Sequence, residues 1–256
     1  MVGLEVDSVK EINVSNLDSK IIVGKIQKIE KHPNADKLQV CLVDTGQEVL
    51  NIVCGAKNIH EGDNVPLALI GASLGKNNKL PQGLKIKESK IRDVLSYGML
   101  CSSHELGLGY EFEDGILILP EDSKVGDKIS NLNFLNDSLL DISVTPNRGD
   151  CLSYFGICRE LSSVLDCEFK NPFFENVNDY KLVDNLEGCS VEVKSSDVIR
   201  YSLQKVENIE LRPSPFWLKN FLAKKNMSSI NNIVDISNYF MLLTGHPIHF
   251  FDLDQI

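Results

Sequence analysis

The hydrophobic and polar positions of the chain change their period near its middle. After Lys20, short runs with alternating apolar and polar residues are separated by turn sequences such as PNADK, HEGD and PQGL. The runs are KIIVGKIQKIEKH, LQVCLVDTG, EVLNIVCGA, NVPLALIGASL, GLKIKESKIRDV and YGMLCSS. Strands of this length and spacing predict a small antiparallel barrel. Helical signals are weak here, and only a turn is expected at residues 103–106.

One of these strands ends in the sequence CGAKN, at residues 54–58. Leu50, Ile52 and Cys54 alternate with other residues, and the run stops where Gly55 and Ala56 carry little or no side chain. Glycine at such a point often marks a place where another backbone or a ligand comes close. We therefore expect a close backbone approach at Gly55.

Helical periodicity begins after about Leu139. LLDISVTPNRGD predicts a strand broken at Pro146, and Asp150 is then expected to cap a packed helix. The apolar face of that helix carries Leu152, Phe155, Cys158, Leu161 and Leu165. The spacing of these residues is that of a helix buried on one side.

The last part of the chain predicts two more helices between strands. Ser214 is expected to cap the first of them with Pro215 at its first position, and the second is expected to run from about Asn232 to Gly245. CSVEVKSSDVIRYSLQKVENIEL and HPIHFFDLDQI have the composition of strands.

Length and composition favour more than one domain, since the chain has 256 residues and is 43% hydrophobic. It contains no apolar segment as long as a membrane helix and begins without a signal peptide, so a cytoplasmic protein is expected. The seven cysteines form no CxxC pair, which favours reduced, mostly buried thiols over disulfides or structural zinc.

The formal net charge of -10 is spread unevenly along the chain. Residues 21–110 hold 11 Lys and Arg against 9 Asp and Glu, whereas the remainder holds 15 against 27. The basic excess is greatest between Lys76 and Arg92, where six basic residues accompany the single acidic residue Glu88. A solvated charged face is the simpler interpretation of such a run, and a nucleic-acid surface is the alternative.

Several segments resemble one family of proteins. KHPNADKLQVCLVDTG, NIVCGAKNIHEGDNVPLALIGASL and IKESKIRDVLSYGMLCSSHELGL together resemble the tRNA-binding OB-fold domain of bacterial phenylalanyl-tRNA synthetase β subunits and of other tRNA-associated proteins. ISVTPNRGDCLSYFGICRELSSVL and SPFWLKNFLAKKNMSSINNIVDISNYFMLLTGHPIHFFDLDQI resemble the β subunit in particular, the second as the opening of its editing (B3/B4) domain. The chain would then be a fragment that ends within that domain.

The resemblance implies an α+β chain that is mainly β. It combines a five-stranded OB-fold barrel with an α/β segment and the beginning of a B3/B4-type editing domain. The expected divisions are an N-terminal strand segment of a B1-type domain at 1–20, the OB-fold domain at 21–135, a B1-type segment with one helix and a linker at 136–186, and a truncated editing domain at 187–256.

The activity implied by the resemblance is that of an aminoacyl-tRNA ligase. With its α subunit, in a heterotetramer, the intact protein would attach phenylalanine to tRNA(Phe) using ATP and magnesium, with no cofactor or metal on this fragment. The fragment would supply tRNA binding and part of the pocket that hydrolyses mischarged tyrosyl-tRNA, without aminoacylation of its own. A non-catalytic tRNA-binding module is the alternative, although such a module would not need the residues after Leu139.

Candidate RNA-binding residues lie in two places. Lys57 and Asn58 follow the CGA element, and each offers hydrogen-bond donors to phosphates or base edges. The basic run adds Lys85, Lys87, Lys90 and Arg92. Asp93 stands where members of the family commonly carry glycine, and its carboxylate either weakens RNA binding or pairs with a neighbouring lysine.

Candidate editing residues come from the segment SNYFMLLTGHPIH. The resemblance assigns Ser237, where the family commonly has threonine, Asn238 and His249 to the pocket, with His249 as a positioning group. His246 and His249 also form an HxxH pair, but no further metal ligands are evident in the sequence, so a structural or substrate contact is the better interpretation.

Overall fold

The computed structural model describes residues 3–76, 80–110, 115–171, 190–199 and 201–255. The strands are β1 (Glu5–Ile12), β2 (Ile21–Lys31), β3 (Gln39–Asp44), β4 (Val49–Cys54), β5 (Asn64–Leu69), β6 (Ser73–Leu74), β7 (Leu84–Lys85), β8 (Ser89–Ile91), β9 (Val94–Ser96), β10 (Gly98–Leu100) and β11 (Asp137–Ser143). The helices are α1 (Tyr154–Leu165), α2 (Phe216–Ala223) and α3 (Asn232–Thr244). The predicted mainly β, α+β class is confirmed.

Five strands form one antiparallel sheet in the order β10-β5-β2-β3-β4. The long strand β2 pairs with β5 through its first half and with β3 through its second, and a bulge between Ile26 and Lys28 bends it between the two. The backbone N–H of Tyr97, just before β10, donates to the carbonyl oxygen of Asn51 in β4 at 3.0 Å. The sheet therefore nearly closes on itself, which confirms the predicted OB-fold barrel.

Two apolar clusters fill this part of the molecule. One lies among the barrel strands and contains Ile26, Val43, Ile52 and Leu67, each with no exposed surface. The other joins the start of β2 to later turns, and its buried members include Ile21, Leu117, Ile129 and Leu135. The first cluster is built mainly from apolar positions of the predicted strands, whereas most of the second comes from loops and turns that the strand periodicity does not cover.

Close backbone approaches occur at Gly24 and Gly98. A Cβ atom at Gly24 would lie 2.6 Å from a methyl carbon of Val43, and one at Gly98 would lie 2.7 Å from the carbonyl oxygen of Ala68. At Gly55 the nearest atom would be a methyl carbon of Leu38 at 3.4 Å, an ordinary contact. The expectation of a close approach by another strand at Gly55 is therefore wrong, because the barrel strands cross most tightly elsewhere, and the approach of a ligand there stays a prediction.

Helix α2 packs against the barrel. Its residue Ala223 belongs to the same buried cluster as the barrel residue Tyr110. The Tyr110 hydroxyl donates to Oδ1 of Asn220 at 2.8 Å, with both groups buried. At the end of the helix, Nζ of Lys224 lies 2.6 Å from a carboxylate oxygen of Asp137, the first residue of β11. Residues 216–224 are therefore held to the barrel by apolar, hydrogen-bonded and ionic contacts together.

Helix α1 differs from its prediction at its start and in its packing. The side chain of Ser153 accepts the N–H of Gly156 and caps the helix, whereas Asp150 bonds to Arg148. The expected cap at Asp150 is wrong, because the arginine competes for its carboxylate. Leu152, at 69% exposed, and Leu165, at 66%, lie at the surface, so the packed apolar face is also wrong.

The last two helices give one correction and one confirmation. Pro215 occupies the N-cap position of α2, and Ser214 instead donates its hydroxyl to Asp235 at 2.5 Å. The predicted cap at Ser214 is therefore wrong. Helix α3 is confirmed at both ends, since the Asn231 side chain caps its first turn and Gly245 ends it in the left-handed conformation, at φ 80°.

The strands expected after residue 189 do not form in the described residues. Residues 190–199, 201–211 and 246–252 contain no strand, and a 3-10 turn occupies Leu253–Gln255. The sheets of the described ranges take no residue after Ser143, so these segments lack a neighbour with which to pair. The strand predictions are wrong here because alternation alone does not supply a partner.

The remaining features are a ribbon and a set of free thiols. β1 pairs antiparallel with β11, which brings the first strand of the chain beside residues 137–143. The six described cysteines are free and four of them are buried, as expected; Cys189 lies outside the described residues. Burial raises the pKa of Cys41 to about 12.

Within the described ranges, every helix is too short or too polar to span a lipid bilayer.

Candidate nucleic-acid interface

A groove lies where the loop between β2 and β3 meets the loop after β4. It has a volume of about 320 Å³ and is lined by Ile29, Glu30, Lys31, Asp36, Lys37, Leu38, Gln39 and Lys57. The Gln39 side chain donates to the carbonyl oxygen of Ala56 and joins the two loops. Lys31, Lys37 and Lys57 are exposed, so three ammonium groups surround a concave surface.

The β8–β9 hairpin carries two of the predicted basic residues. Its two-residue turn has positive φ at both positions, 43° at Arg92 and 74° at Asp93. That conformation is typical of a type I′ hairpin turn, in which glycine, asparagine and aspartate are favoured. The aspartate therefore fits a position that commonly holds glycine in the family, and its carboxylate pairs with Lys90 at 3.1 Å.

This hairpin contacts the β2–β3 loop. The Nε2 atom of buried His32 lies 3.1 Å from the carbonyl oxygen of Ile91, and the Asn34 side chain donates to the carbonyl oxygen of Arg92 at 3.2 Å. Lys90 and Arg92 are thereby held beside the loop that contains Lys37 and follows Lys31, the last residue of β2. Neither lysine was anticipated as a binding residue from the sequence, although the turn sequence PNADK contains Lys37.

Lys85 and Lys87 lie in a different setting from Lys90 and Arg92. Lys85 belongs to the β6–β7 hairpin, where it pairs with Ser73. The backbone N–H groups of Lys20 and Ser73 lower the pKa of Asp18, and the charges of Lys20 and Lys85 act in the same direction. The structure therefore divides the basic run of the sequence between two hairpins, with Lys87 exposed in the segment between them.

Asn58 has a clear structural role. Its amide nitrogen donates to the carbonyl oxygen of Ile116 at 2.8 Å, and its amide oxygen accepts the N–H of the same residue at 3.0 Å. This reciprocal pair fixes the loop after β4, while Lys57 beside it remains exposed. Contact of either residue with RNA stays a prediction.

Aromatic side chains that could stack on bases are scarce on the described barrel surface. Tyr110 is buried against α2, and Phe112 lies outside the described residues. Tyr97 lines a second groove of about 500 Å³ together with Val49, Leu50 and Ile70. Base stacking, which contributes about 1–3 kcal/mol per base in other OB-fold proteins, therefore has few platforms among the described residues of the barrel.

The predicted editing residues lie on α3 and beyond it. Ser237 and Asn238 are half-buried neighbours on the helix, and the Ser237 hydroxyl donates to the carbonyl oxygen of Val234 at 2.7 Å. His249 is exposed and follows the cap at Gly245. In the described part of the chain, no hydrogen bond joins His249 to the two helix residues, and their common role stays a prediction.

A buried carboxylate near these residues was not anticipated from the sequence. Asp235 has no exposed surface and accepts hydrogen bonds from the hydroxyl groups of Ser214 and Ser229 and from the N–H of Ile230. A buried carboxylate is tolerated when such donors satisfy it. The network ties the start of α2 and the loop before α3 to the first turn of α3.

One cluster in the described residues has the composition of a metal site. Oxygen and sulfur atoms of Asp150, Cys151 and Glu160 lie within 4.8 Å of one another. The Arg148 guanidinium lies 3.1 Å from Asp150 and 2.7 Å from Glu160. Its hydrogen bond lowers the pKa of Asp150 to about 2. The arginine is thus the cation that pairs with the carboxylates of this cluster. Because it occupies them, the cluster does not fit a metal ion in addition.

Two family models match the chain. The model of a tRNA binding domain matches residues 21–128, which contain the barrel, the two hairpins and the groove. The B3/4 domain model matches residues 197–256, which contain α2 and α3.

Curated relatives match almost the whole chain. The chain is 42% identical to the phenylalanine–tRNA ligase beta subunit of Syntrophus aciditrophicus over 98% of its length and 30% of the relative. It is 42% identical to the beta subunit of Francisella tularensis and 43% identical to that of Geobacter sulfurreducens, over all of this chain and 31% of each relative. The chain thus spans about 30% of the length of these relatives. Over that length the chain is similar to phenylalanine–tRNA ligase beta subunits, and it contains the two domains that the family models match.

Proposed function

We propose that this chain provides tRNA binding and part of an editing pocket within a phenylalanine–tRNA ligase. The observation that carries the proposal is the similarity of the whole chain to beta subunits of that enzyme. Because the similarity extends beyond the barrel to α3, it favours a synthetase subunit over a free-standing tRNA-binding module. Aminoacylation is assigned to the intact enzyme, and we expect none from these 256 residues alone.

The proposed RNA surface carries basic residues, although the protein as a whole is acidic. Lys57, Lys85, Lys87, Lys90 and Arg92 are exposed and would contact phosphate groups, with Asn58 holding the loop that presents Lys57. Phosphate contacts release counterions from the RNA, so they give an affinity that falls as the salt concentration rises. The chain as a whole carries a net charge of -10, which opposes non-specific binding and favours contact through this surface.

The proposed editing chemistry follows from the small difference between phenylalanine and tyrosine. A hydrophobic pocket rejects a ligand that adds a hydroxyl group by only about 100-fold, so a second, hydrolytic site is physically reasonable. We assign Ser237, Asn238 and His249 to that site, where they would hold the tyrosyl ester and a water molecule. His249 would act as a hydrogen-bonding group that positions the ester.

The proposed partners are tRNA(Phe) and the α subunit, in a cytoplasmic heterotetramer. ATP and magnesium would be required by the intact enzyme, where they activate phenylalanine. The cluster of potential metal ligands in the described residues is paired with Arg148, so none of the described residues is assigned to magnesium.

A salt series with tRNA(Phe) tests the proposed RNA binding. The logarithm of the association constant should fall with the logarithm of the salt concentration, by a slope of about 0.7–0.9 per phosphate neutralised. Alanine at Lys85, Lys87, Lys90 and Arg92 should reduce both affinity and slope, and an unrelated structured RNA shows how far binding depends on shape. An affinity that does not change with salt would contradict the proposal.

The editing assignment is tested in the intact enzyme. Hydrolysis of tyrosyl-tRNA(Phe) should slow with Asn238→Ala and His249→Ala, while attachment of phenylalanine stays unchanged. Equal loss of both activities would indicate a general structural defect and would count against the assignment.

A further inference from the structure

We propose that the β2–β3 loop and the β8–β9 hairpin form one binding surface for the sugar-phosphate backbone of tRNA. The loop surface, as we call it, consists of Lys31, Lys37, Lys57, Lys90 and Arg92. His32 and Asn34 are the positioning residues that hold its two halves together. The inference rests on the proposed tRNA binding and specifies which part of the barrel supplies most of it.

His32 connects the two halves through both nitrogen atoms of its ring. The residue is 3% exposed, its Nδ1 lies 3.1 Å from the backbone N–H of Asn34, and its Nε2 lies 3.1 Å from the carbonyl oxygen of Ile91. A backbone N–H donates and a carbonyl oxygen accepts, so Nδ1 is the acceptor and Nε2 carries the proton. The ring therefore fixes the loop conformation with one bond and the hairpin position with the other.

The hairpin needs such contacts because it is small. β8 and β9 have three residues each and pair only with one another, and an isolated two-stranded hairpin is marginally stable in water. Its base is fixed where the Ser96 hydroxyl accepts the N–H of Val53 at 3.0 Å. Its tip is fixed by the Asn34 amide, which donates to the carbonyl oxygen of Arg92 at 3.2 Å. The position of Arg92 is thus determined by the β2–β3 loop.

The charges of this region favour an anion. Lys31, Lys37 and Lys57 are exposed and form no ion pair within the described ranges. Of the nearby carboxylates, Glu30 lies 2.8 Å from Lys28, and Asp93 lies 3.1 Å from Lys90. Only Asp36 among the acidic groups of the groove lacks such a pair in the described residues. A ligand that enters the groove therefore meets an excess of positive charge.

The chemistry of the surface points to phosphate groups as the contacted part of the RNA. Its charged groups are mainly lysine ammonium ions on long flexible side chains, which bind phosphate as point charges. The aromatic ring of Tyr97 lines the other groove, so base stacking does not contribute within the loop surface. The loops between the first two and last two strands of an OB-fold are also where such domains bind oligonucleotides.

Two triple variants compare the loop surface with a matched set of charges. One replaces Lys31, Lys37 and Lys57 with alanine; the other replaces Lys25, Lys124 and Lys128, which are also exposed and remove the same charge. The first should weaken binding to tRNA(Phe) about tenfold or more and reduce the salt slope by about 2. The second should change the affinity by less than about threefold. An equal or larger loss in the second variant would overturn the inference.

The positioning role is tested by a double-mutant cycle. Asn34→Ala should lower the salt slope as much as Lys90→Ala with Arg92→Ala does, and it should add nothing once those two residues are absent. Additive losses would mean that Asn34 contacts RNA directly and would overturn its positioning role. His32→Gln should lower the salt slope as Asn34→Ala does. If the His32 variant unfolds, the cycle can still be interpreted from Asn34→Ala, provided that this variant melts at the same temperature as the unmodified chain.

Two further outcomes separate this inference from the function on which it rests. Absence of salt-dependent tRNA binding by the unmodified chain overturns both. Full binding by the variant without Lys31, Lys37 and Lys57 overturns the loop surface alone. Displacement of tRNA by poly-glutamate at the same charge concentration, and with the same potency, would assign the surface to polyanions in general and overturn its assignment to RNA.

Discussion

Removal of a single hydroxyl group tests whether α2 folds as part of the barrel. Tyr110 is 3% exposed, and its hydroxyl donates to Oδ1 of Asn220 at 2.8 Å. Burial raises the pKa of Tyr110, and the Asp137 carboxylate acts in the same direction, so the hydroxyl stays a donor throughout the neutral range. Tyr110→Phe keeps the ring in place and leaves the buried Asn220 oxygen without its donor.

The expected cost comes from that unsatisfied oxygen. A buried polar group that loses its partner destabilises a protein by about 1–3 kcal/mol. A change of 1.4 kcal/mol is about tenfold in the folding equilibrium constant. For a chain of this length each kcal/mol lowers the melting temperature by about 2–4 °C. We therefore expect Tyr110→Phe to melt between about 2 and 12 °C lower.

Urea unfolding gives the assay, because the chain has a single tryptophan and it lies on α2. Trp217 is 55% exposed and packs edge-on against Tyr239 at 5.3 Å, so its fluorescence reports on the helix, while far-UV circular dichroism also follows the strands. Both signals should change in one transition, and Tyr110→Phe should shift both equally. Tyr201→Phe, at an exposed position, is the matched control and should change stability by less than about 0.5 kcal/mol.

The second partner of the hydrogen bond provides an independent check. Asn220→Leu in the Tyr110→Phe background removes the orphaned oxygen, so part of the lost stability should return. The reasoning is refuted if the tryptophan signal changes before the circular dichroism and does not respond to Tyr110→Phe. That result would mean that α2 and the barrel unfold separately.

Three further substitutions test other features of the structure. Asp93→Gly removes a carboxylate from the hairpin tip without straining its φ of 74°, so binding to tRNA(Phe) should tighten by about two- to fivefold; weaker binding in filter assays would contradict this. Gly98→Ala places a Cβ atom 2.7 Å from a backbone oxygen and should cost about 1–3 kcal/mol in urea unfolding; an unchanged midpoint would refute it. Burial raises the pKa of Asp137, but the hydrogen bond and charge of Lys224 outweigh it and the pKa is lowered. This ion pair therefore stabilises the fold fully above the unfolded pKa of about 3.9, and its contribution is lost as the pH falls through the lower folded pKa. The Asp137→Asn variant should lose less stability than the parent chain on acidification. Parallel curves of unfolding free energy against pH for the two proteins would refute this.

The barrel could be predicted from the sequence because its information is local. Strands β2, β3 and β4 follow one another both along the chain and in the sheet, whereas β5 returns to pair with β2 and β10 pairs with β5. The hairpin at Arg92 and Asp93 is local in the same sense, since two residues at positive φ determine the register of β8 and β9.

The errors lie where a side chain binds a partner other than the helix end that its position suggests. Asp150 and Ser214 both have the residue type of a helix cap, but Arg148 binds the first and Asp235 binds the second. The alternation after residue 189 has the same weakness, because a strand forms only beside another strand. Residue type and spacing along the chain do not reveal these competing contacts, whether the partner is two residues away, as Arg148 is, or 21 residues away, as Asp235 is from Ser214.

The candidate site was predicted only in part for a related reason. The basic run between Lys76 and Arg92 is continuous in sequence, yet its residues belong to two hairpins with different neighbours. Lys31 and Lys37 are far from Arg92 along the chain and come beside it through His32 and Asn34. A charge count along the sequence cannot group them, because the grouping depends on hydrogen bonds between loops.

The contacts of α2 give a physical reason for expecting RNA binding and editing to work as one unit. The helix is held to the barrel by Tyr110 and Asp137, and Asp235 ties Ser214, which precedes the N-cap proline of α2, to the first turn of α3. Ser237 and Asn238 follow on that same helix. Packing, and not the covalent link alone, therefore sets the distance between the barrel and α3. A tRNA held on the barrel would find the proposed editing residues at a fixed place, and changes that loosen α2 should impair editing before they impair RNA binding.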